Sequence, residues 1–219
     1  MMSSRVDTTA TLQKLAAVAV VRLESAECLR RVVDALVEGG IRALEVTMTT
    51  RGALEALAEC SAALGDTVVL GAGSVLDPET ARLAISAGAR FVVGPTLCAD
   101  VIRTCRHYDV VAIPGGYTPT EIQAAWEGGA DLVKVFPAGQ LGPGYLRELR
   151  GPLPHLRLMP TGGVTIDTAA AFLAAGAVAV GVGGALVGRE AVERGDYATI
   201  TERARRLADA VGEATRRAA

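Results

Sequence analysis

The sequence predicts an α/β protein, a single (β/α)8 TIM barrel with an extra helix ahead of its first strand. Three observations predict it. Short apolar runs of strand length alternate with amphipathic stretches from one end of the chain to the other. Most of those runs are apolar on both faces, as parallel strands covered on both sides must be. A glycine-centred repeat also recurs four times, at spacings that each hold two strand–helix units.

The strand-like runs are 18–21, 43–48, 67–71, 91–94, 110–114, 132–136, 156–160 and 177–182. Helical patterning between them is clearest at 26–38, 52–64, 78–87 and 119–127. A helix at 8–15 precedes the first strand, and a longer one at 197–215 follows the last. This alternation fits an open doubly wound sheet as well as a closed barrel. The repeat separates them. Gly40, Gly88, Gly129 and Gly176 each end a helix and lead into a strand, in the contexts E-G-G-I-R-A-L-E-V, S-A-G-A-R-F-V-V-G, E-G-G-A-D-L-V-K-V and A-A-G-A-V-A-V-G-V. The spacings are 48, 41 and 47 residues, so the repeat marks strands 2, 4, 6 and 8. A helix C-terminus that needs positive φ explains glycine there. Four double units close into eight strands. No linker-like stretch interrupts the pattern, and 219 residues suit one such domain.

Composition excludes several classes of function. A formal net charge of −2 sets up no field favouring nucleic acid or an anionic membrane surface. The basic residues at 203–206, with Arg216 and Arg217, fall in a polar helical pattern and read as a solvated helix face. The longest apolar run, 169–182, is broken at Gly176 and falls short of the ~18 residues that span a bilayer. Cys28, Cys60, Cys98 and Cys105 form no C-x-x-C pair, and the first residues do not read as a secretion signal. Reduced thiols and a cytoplasmic location are the expectation. His107 and His155 stand alone, without metal-ligand spacing. No metal and no cofactor are expected, which leaves carbanion chemistry to a lysine.

Five residues past each repeat glycine stand Glu45, Val93, Lys134 and Gly181. Alternate strands of such a barrel supply one layer of four inward side chains. Glu45 and Lys134 therefore share a layer on opposite strands. The inward faces read Ala43, Glu45, Thr47 and Leu132, Lys134, Phe136; the outward faces are Leu44, Val46 and Val133, Val135. Gly181 leaves room in the layer for a ligand. Two ionisable groups enter a barrel core only at a cost. A salt bridge that merely holds the barrel is one explanation, but packed apolar residues usually serve stability as well. The chemical explanation gives each group a role. Desolvation favours a neutral amine, which adds to carbonyls. A carboxylate beside it moves protons, and the two titrate as a coupled pair.

A second constellation follows strands 7 and 8. Residues 160–164 read P-T-G-G-V and 181–186 read G-V-G-G-A-L. Glycines let the backbone approach an anion, and the loops after the last two strands are the usual phosphate position in this fold. Arg22 closes strand 1, Ser74 follows strand 3, and Pro95 and Thr96 follow strand 4. Arg22 and Ser74 suit a substrate carboxylate, by a charge-assisted bond and a hydroxyl. Arg22 equally fits a strand-end side chain reaching solvent.

Two stretches carry a resemblance that covers nearly the whole chain. G-I-R-A-L-E-V-T, 40–47, and G-A-D-L-V-K-V-F-P-A, 129–138, stand in order with G-A-G-S at Gly71, P-G at Pro114 and P-T-G-G at Pro160. The sequence resembles the bacterial 2-keto-3-deoxy-6-phosphogluconate (KDPG) aldolase family, which includes 4-hydroxy-2-oxoglutarate (KHG) aldolase activity. The resemblance implies a trimeric class I aldolase that splits KDPG into pyruvate and glyceraldehyde 3-phosphate. It implies that Lys134 forms the imine with the 2-oxo group and that Glu45 is the general acid/base. By position it puts Thr47, in the catalytic-glutamate segment, among the substrate-binding residues, Ser74 near the pyruvate carboxylate, and Phe136 in the wall of the pyruvate pocket with Pro95 beside it. Thr161, Gly162, Gly163, Gly183 and Gly184 fall at the phosphate end. Two positions depart from the pattern. Many members have Arg where Thr49 stands, and Arg22 or Arg51 is the available replacement, with Arg22 better placed. Many have Ser where Gly184 stands, and losing one such hydrogen bond to a charged group costs about 1.5–3 kcal/mol.

Other readings use the same residues. KHG and 2-dehydro-3-deoxy-6-phosphogalactonate are the sister substrates within the class. A phosphosugar isomerase would use Glu45 for proton transfer with no covalent step, and a non-catalytic barrel would bind a phosphometabolite without turnover.

Overall fold

A computed structural model describes residues 4–218. The elements run α1 (Arg5–Leu15), β1 (Ala17–Val21), α2 (Leu29–Glu38), β2 (Ala43–Thr47), α3 (Ala53–Leu64), β3 (Val69–Gly73), α4 (Pro78–Ser86) and β4 (Phe91–Val93). They continue with α5 (Ala99–His107), β5 (Val111–Ile113), β6 (Gly115–Gly116), α6 (Pro119–Glu127), β7 (Val133–Val135), α7 (Gly142–Arg150) and β8 (Leu158–Pro160). The chain ends with α8 (Ile166–Ala174), β9 (Val180–Val182), α9 (Arg189–Glu193) and α10 (Tyr197–Ala218).

The result is an α/β fold whose parallel sheet curls as a half-barrel. Six strands pair in the order β5-β4-β3-β2-β1-β9, and three more in the order β6-β7-β8. Every ladder is parallel. The strand expected at 110–114 appears as β5, and β6 follows it beyond Pro114, whose nitrogen has no hydrogen to donate. The Pro114 carbonyl still accepts from the Lys134 N–H, at 2.9 Å. Between β8 and β9 the Val178 N–H donates to the Leu158 carbonyl at 3.0 Å, and Thr161 and Gly181 form a parallel bridge.

Strand faces sort the core into two clusters. Val18, Ala43, Val69, Phe91, Val93, Val111, Ile113, Leu132 and Met159 pack together inside the curl. Leu44, Val46, Val133 and Val135 belong to the larger cluster between sheet and helices. The alternation expected for the strands at 43–48 and 132–136 is therefore the one observed. The third strand differs from expectation. It runs over Val69–Gly73 rather than 67–71, because residues 65–67 form a 3-10 turn after α3. Glycine has weak strand propensity, which hides 71–73 in the sequence. Pairing with β2 from Ala43↔Val69 to Thr47↔Gly73 draws those residues into the sheet.

The repeat glycines share one conformation. Gly40, Gly88, Gly129 and Gly176 have φ of 95°, 98°, 96° and 98°. After each, the next N–H reaches back to a helix carbonyl: Ile41 to Leu36, Ala89 to Ala84, Ala130 to Ala125 and Ala177 to Phe172. This is the helix-ending motif in which a left-handed residue turns the chain back towards the sheet. α5 ends in the same way with Asp109 at φ 55°, a copy that a search for glycines misses.

α1 closes the N-terminal end of the curl. Leu12, fully buried, is the α1 residue in the interior cluster. Arg5 pairs with Asp131, which also accepts from the Ala112 N–H at 3.0 Å. Leu12→Ala is expected to lower stability by about 2–5 kcal/mol in a denaturant titration. A midpoint within error of the parent would mean that α1 does not contribute to the core.

Candidate active site

Glu45 lies mid-way along β2 and Lys134 mid-way along β7. Both point into the curl and both are buried, at 1% and 4% exposure. Glu45 Oε1 is 3.9 Å from Lys134 Nζ. That distance is a charge contact too long for a hydrogen bond. Neither carboxylate oxygen of Glu45 has a hydrogen-bond partner within the protein. Buried carboxylates rarely forgo partners, so these oxygens are free for a group from outside the chain. Burial pushes the Glu45 carboxyl above its ordinary value, while the charges of Lys134 and Arg22 pull against that rise. Lys134 Nζ also sits 5.0 Å from the centre of the Phe136 ring, two residues on along the same face.

Glycines on β3 make room for Glu45. A Cβ added at Gly73 would lie 1.9 Å from Glu45 Oε1. The sequence reading missed this residue. Its signal is the run G-A-G at 71–73, which puts glycine at the last two inward positions of the strand that pairs with β2. The space beside Gly181, by contrast, is not left for a ligand. The Thr161 side chain fills it, with Oγ1 2.3 Å from where a Cβ would stand.

Lys134 opens onto a cavity of about 510 Å³. Its walls include Arg22, Phe136, Thr161, Gly162, Gly163, Gly183 and Gly184, so eight expected site residues, Lys134 among them, share one hollow. Gly162 and Gly163 both have φ of 81°, and the Gly162 backbone passes over the Phe136 ring, where a Cβ would come within 2.8 Å of it. Thr47, Ser74 and Pro95 stand outside these walls, in or just beyond the C-terminal ends of β2, β3 and β4. Thr47 is fully buried, and its hydroxyl meets those of Thr49 at 3.0 Å and Thr50 at 3.4 Å. Thr50 in turn accepts from the Leu23 N–H, which ties the β2 loop to the β1 loop beside Arg22. Ser74 takes a left-handed φ of 60°, uncommon for a residue with a side chain. Arg51 does not line the cavity; its carbonyl accepts from the Ala26 N–H at 3.0 Å. Of the two candidate arginines, Arg22 is the one beside Lys134.

Arg189, at the start of α9, also lines the cavity and was not singled out from sequence, where no helix was expected. Among the described residues no cluster of three His, Cys, Asp or Glu is placed to hold a metal ion. No described helix is long and apolar enough to cross a membrane. Burial pushes the Cys105 thiol up to about 12, which keeps it from acting as a nucleophile.

A curled parallel sheet that presents a buried amine and carboxylate to a glycine-walled cavity is the build of an enzyme acting on small carbonyl compounds. Comparison with known proteins narrows that class. The family described as KDPG and KHG aldolase matches residues 8–203. A 2-dehydro-3-deoxy-phosphogluconate aldolase of Treponema pallidum is 37% identical over 202 residues, covering 92% of this chain and 96% of that one. The KHG/KDPG aldolase of Escherichia coli is 35% identical, covering 78% and 80%. The crystal structure of a KDPG aldolase from Legionella pneumophila, with pyruvate captured as a covalent carbinolamine intermediate, superposes with a TM-score of 0.84. It is 27% identical and covers 91% of this chain and 97% of that one. The chain belongs to the KDPG and KHG aldolase family, a family of aldehyde-lyases.

Gly73→Ala should force Glu45 from its place beside Lys134. The expected cost is about 1–3 kcal/mol of stability in a denaturant titration, from overpacking. A crystal structure of the variant with Glu45 unmoved would refute the packing argument.

Proposed function

We propose that this chain is a class I aldolase that cleaves KDPG to pyruvate and glyceraldehyde 3-phosphate. The observation that carries the residue roles is the buried contact between Glu45 and Lys134 at the head of the cavity. The Lys134 amine adds to the C2 carbonyl to give a carbinolamine; protonated Glu45 gives its proton to the departing hydroxyl, water leaves, and a protonated imine forms with Glu45 left as carboxylate. Glu45, as carboxylate, takes the proton of the C4 hydroxyl. The C3–C4 bonding electrons move into the imine, the aldehyde leaves, and an enamine remains. Glu45 returns a proton to C3, and water releases pyruvate from Lys134. A carboxyl whose burial has raised its proton affinity suits a group that must both take and return a proton.

Arg22 holds the substrate carboxylate together with Ser74, and Phe136 walls the pyruvate end with Pro95 beside it. Thr47 braces the β2 loop beneath it. Thr161, Gly162, Gly163, Gly183 and Gly184 line the phosphate end. The scaffold is read as one domain whose eight strands close into a barrel. The Val178–Leu158 bond, the Thr161–Gly181 bridge and the Lys134–Pro114 bond, which span the gaps between the two sheets, support closure. A cytoplasmic homotrimer is the assembly inferred.

Borohydride with pyruvate is expected to leave a reduced three-carbon adduct on Lys134. The chain has only two lysines, and the other, Lys14, is exposed on α1. Lys134→Arg should lose both the adduct and nearly all turnover. An adduct on Lys14, or an arginine variant that keeps its activity, would contradict the reading; the latter would favour proton transfer without a covalent step.

One observation favours the sister substrate KHG. Gly184 offers no hydroxyl to a phosphate. Comparison of kcat/KM for KDPG and KHG decides between them.

A further inference from the structure

At the phosphate end of the cavity the neutral donors are mainly backbone N–H groups of the loops after β8 and β9, and side-chain hydroxyls are few. Thr165 lines it, with its hydroxyl held as the cap of α8, where it accepts from the Thr168 N–H at 3.2 Å and meets the Thr168 hydroxyl at 3.1 Å. The Thr161 hydroxyl donates to the Met159 carbonyl at 3.3 Å. A Cβ at Gly184 would meet nothing within 4 Å, so no neighbouring part of the chain fills the place of a side chain there. Three cations line the cavity: Lys134, Arg22 and Arg189. The reading above commits Lys134 to the carbonyl. It commits Arg22 to the substrate carboxylate, at the reacting end. Arg189 follows directly on the loop of Gly183 and Gly184 and is the cation left for the far end.

Arg189 is held by ion pairs that are easily exchanged. It contacts Glu24 at 2.7 Å, across the mouth on the β1 loop, and Glu193 at 2.6 Å, one turn along α9. All three side chains are more than half exposed. Ion pairs in that setting contribute little, because water competes for both partners. A phosphate dianion offers a guanidinium two charged acceptors in the fork geometry it fits best. The same guanidinium forms part of the wall of a neighbouring hollow of about 580 Å³, which it shares with Glu24 and Glu193. Side-chain rotation alone therefore has space in both directions.

We propose that Arg189 is a specificity-determining residue for the aldehyde half of the substrate. Its guanidinium turns from Glu24 to grip a terminal phosphate monoester, in place of a hydroxyl at position 184. Glu24 is its resting partner and competes with the phosphate. This rests on the aldolase reading and adds the basis of its preference for a phosphorylated aldehyde.

The test is condensation of pyruvate with glyceraldehyde 3-phosphate, glyceraldehyde and glyoxylate. Arg189→Leu should lower the ratio of kcat/KM for the phosphorylated over the unphosphorylated glyceraldehyde about ten-fold or more, chiefly through KM. Arg189→Lys should restore part of it. Glu24→Gln should raise the ratio, an effect that a merely structural ion pair would not produce. Exchange of pyruvate C3 protons with solvent by the unaltered enzyme reports on Lys134 and Glu45 alone. Failure of that exchange overturns the aldolase reading. Exchange with a ratio unmoved by both Arg189→Leu and Glu24→Gln overturns the role of Arg189 and leaves the aldolase reading standing.

Discussion

A carboxylate and an amine meet 3.9 Å apart inside an otherwise apolar layer, and much of the structure serves that contact. Neither group is tolerable there alone, since an unpaired buried charge costs several kcal/mol or more. The pairing offsets part of that cost and leaves the rest as reactivity. Glu45 keeps two oxygens without partners, and its proton affinity rises because water is excluded. Gly73 gives up its own side chain so that Glu45 fits, and Phe136 supplies an aromatic face to the Lys134 nitrogen.

The division of labour follows the strands. Mid-strand positions, fixed by parallel ladders on both sides, carry the two groups that must hold their distance. Strand ends and loops carry the residues that line the cavity. The β1 and β2 loops are stitched by Thr47, Thr49 and Thr50, and the loops after β8 and β9 are largely backbone, built of glycine. Thr49 belongs to the hydroxyl network of the β2 loop, and Arg22 lines the cavity from the β1 loop beside it. Under the proposed function, specificity is thus assigned to residues that can change without disturbing the pair.

Much of this was legible in the sequence, for a physical reason. The four helix-ending glycines need a left-handed backbone, so they mark the same structural point in each unit and let Glu45 be placed opposite Lys134 by counting. Strand alternation then fixed which neighbours face inward, as the two core clusters bear out. What stayed hidden depends on contacts between distant segments. Gly73 reads as a loop residue until its pairing with Thr47 is known. Gly181 reads as open space until Thr161 is seen to fill it. Arg189 lies in a five-residue helix too short to leave a periodic signal, and its nearness to Lys134 arises only when the loops after β8 and β9 come together.

The most direct test of the pair is to titrate the Glu45 carboxyl by isotope-edited infrared spectroscopy, in the parent chain and in Lys134→Met. Burial raises its proton affinity and the lysine charge lowers it. The midpoint should therefore lie above the ordinary glutamate value of about 4.3 and rise further when the lysine is removed. A midpoint at or below that value, unmoved by Lys134→Met, would show that the two groups do not act on one another as the account requires.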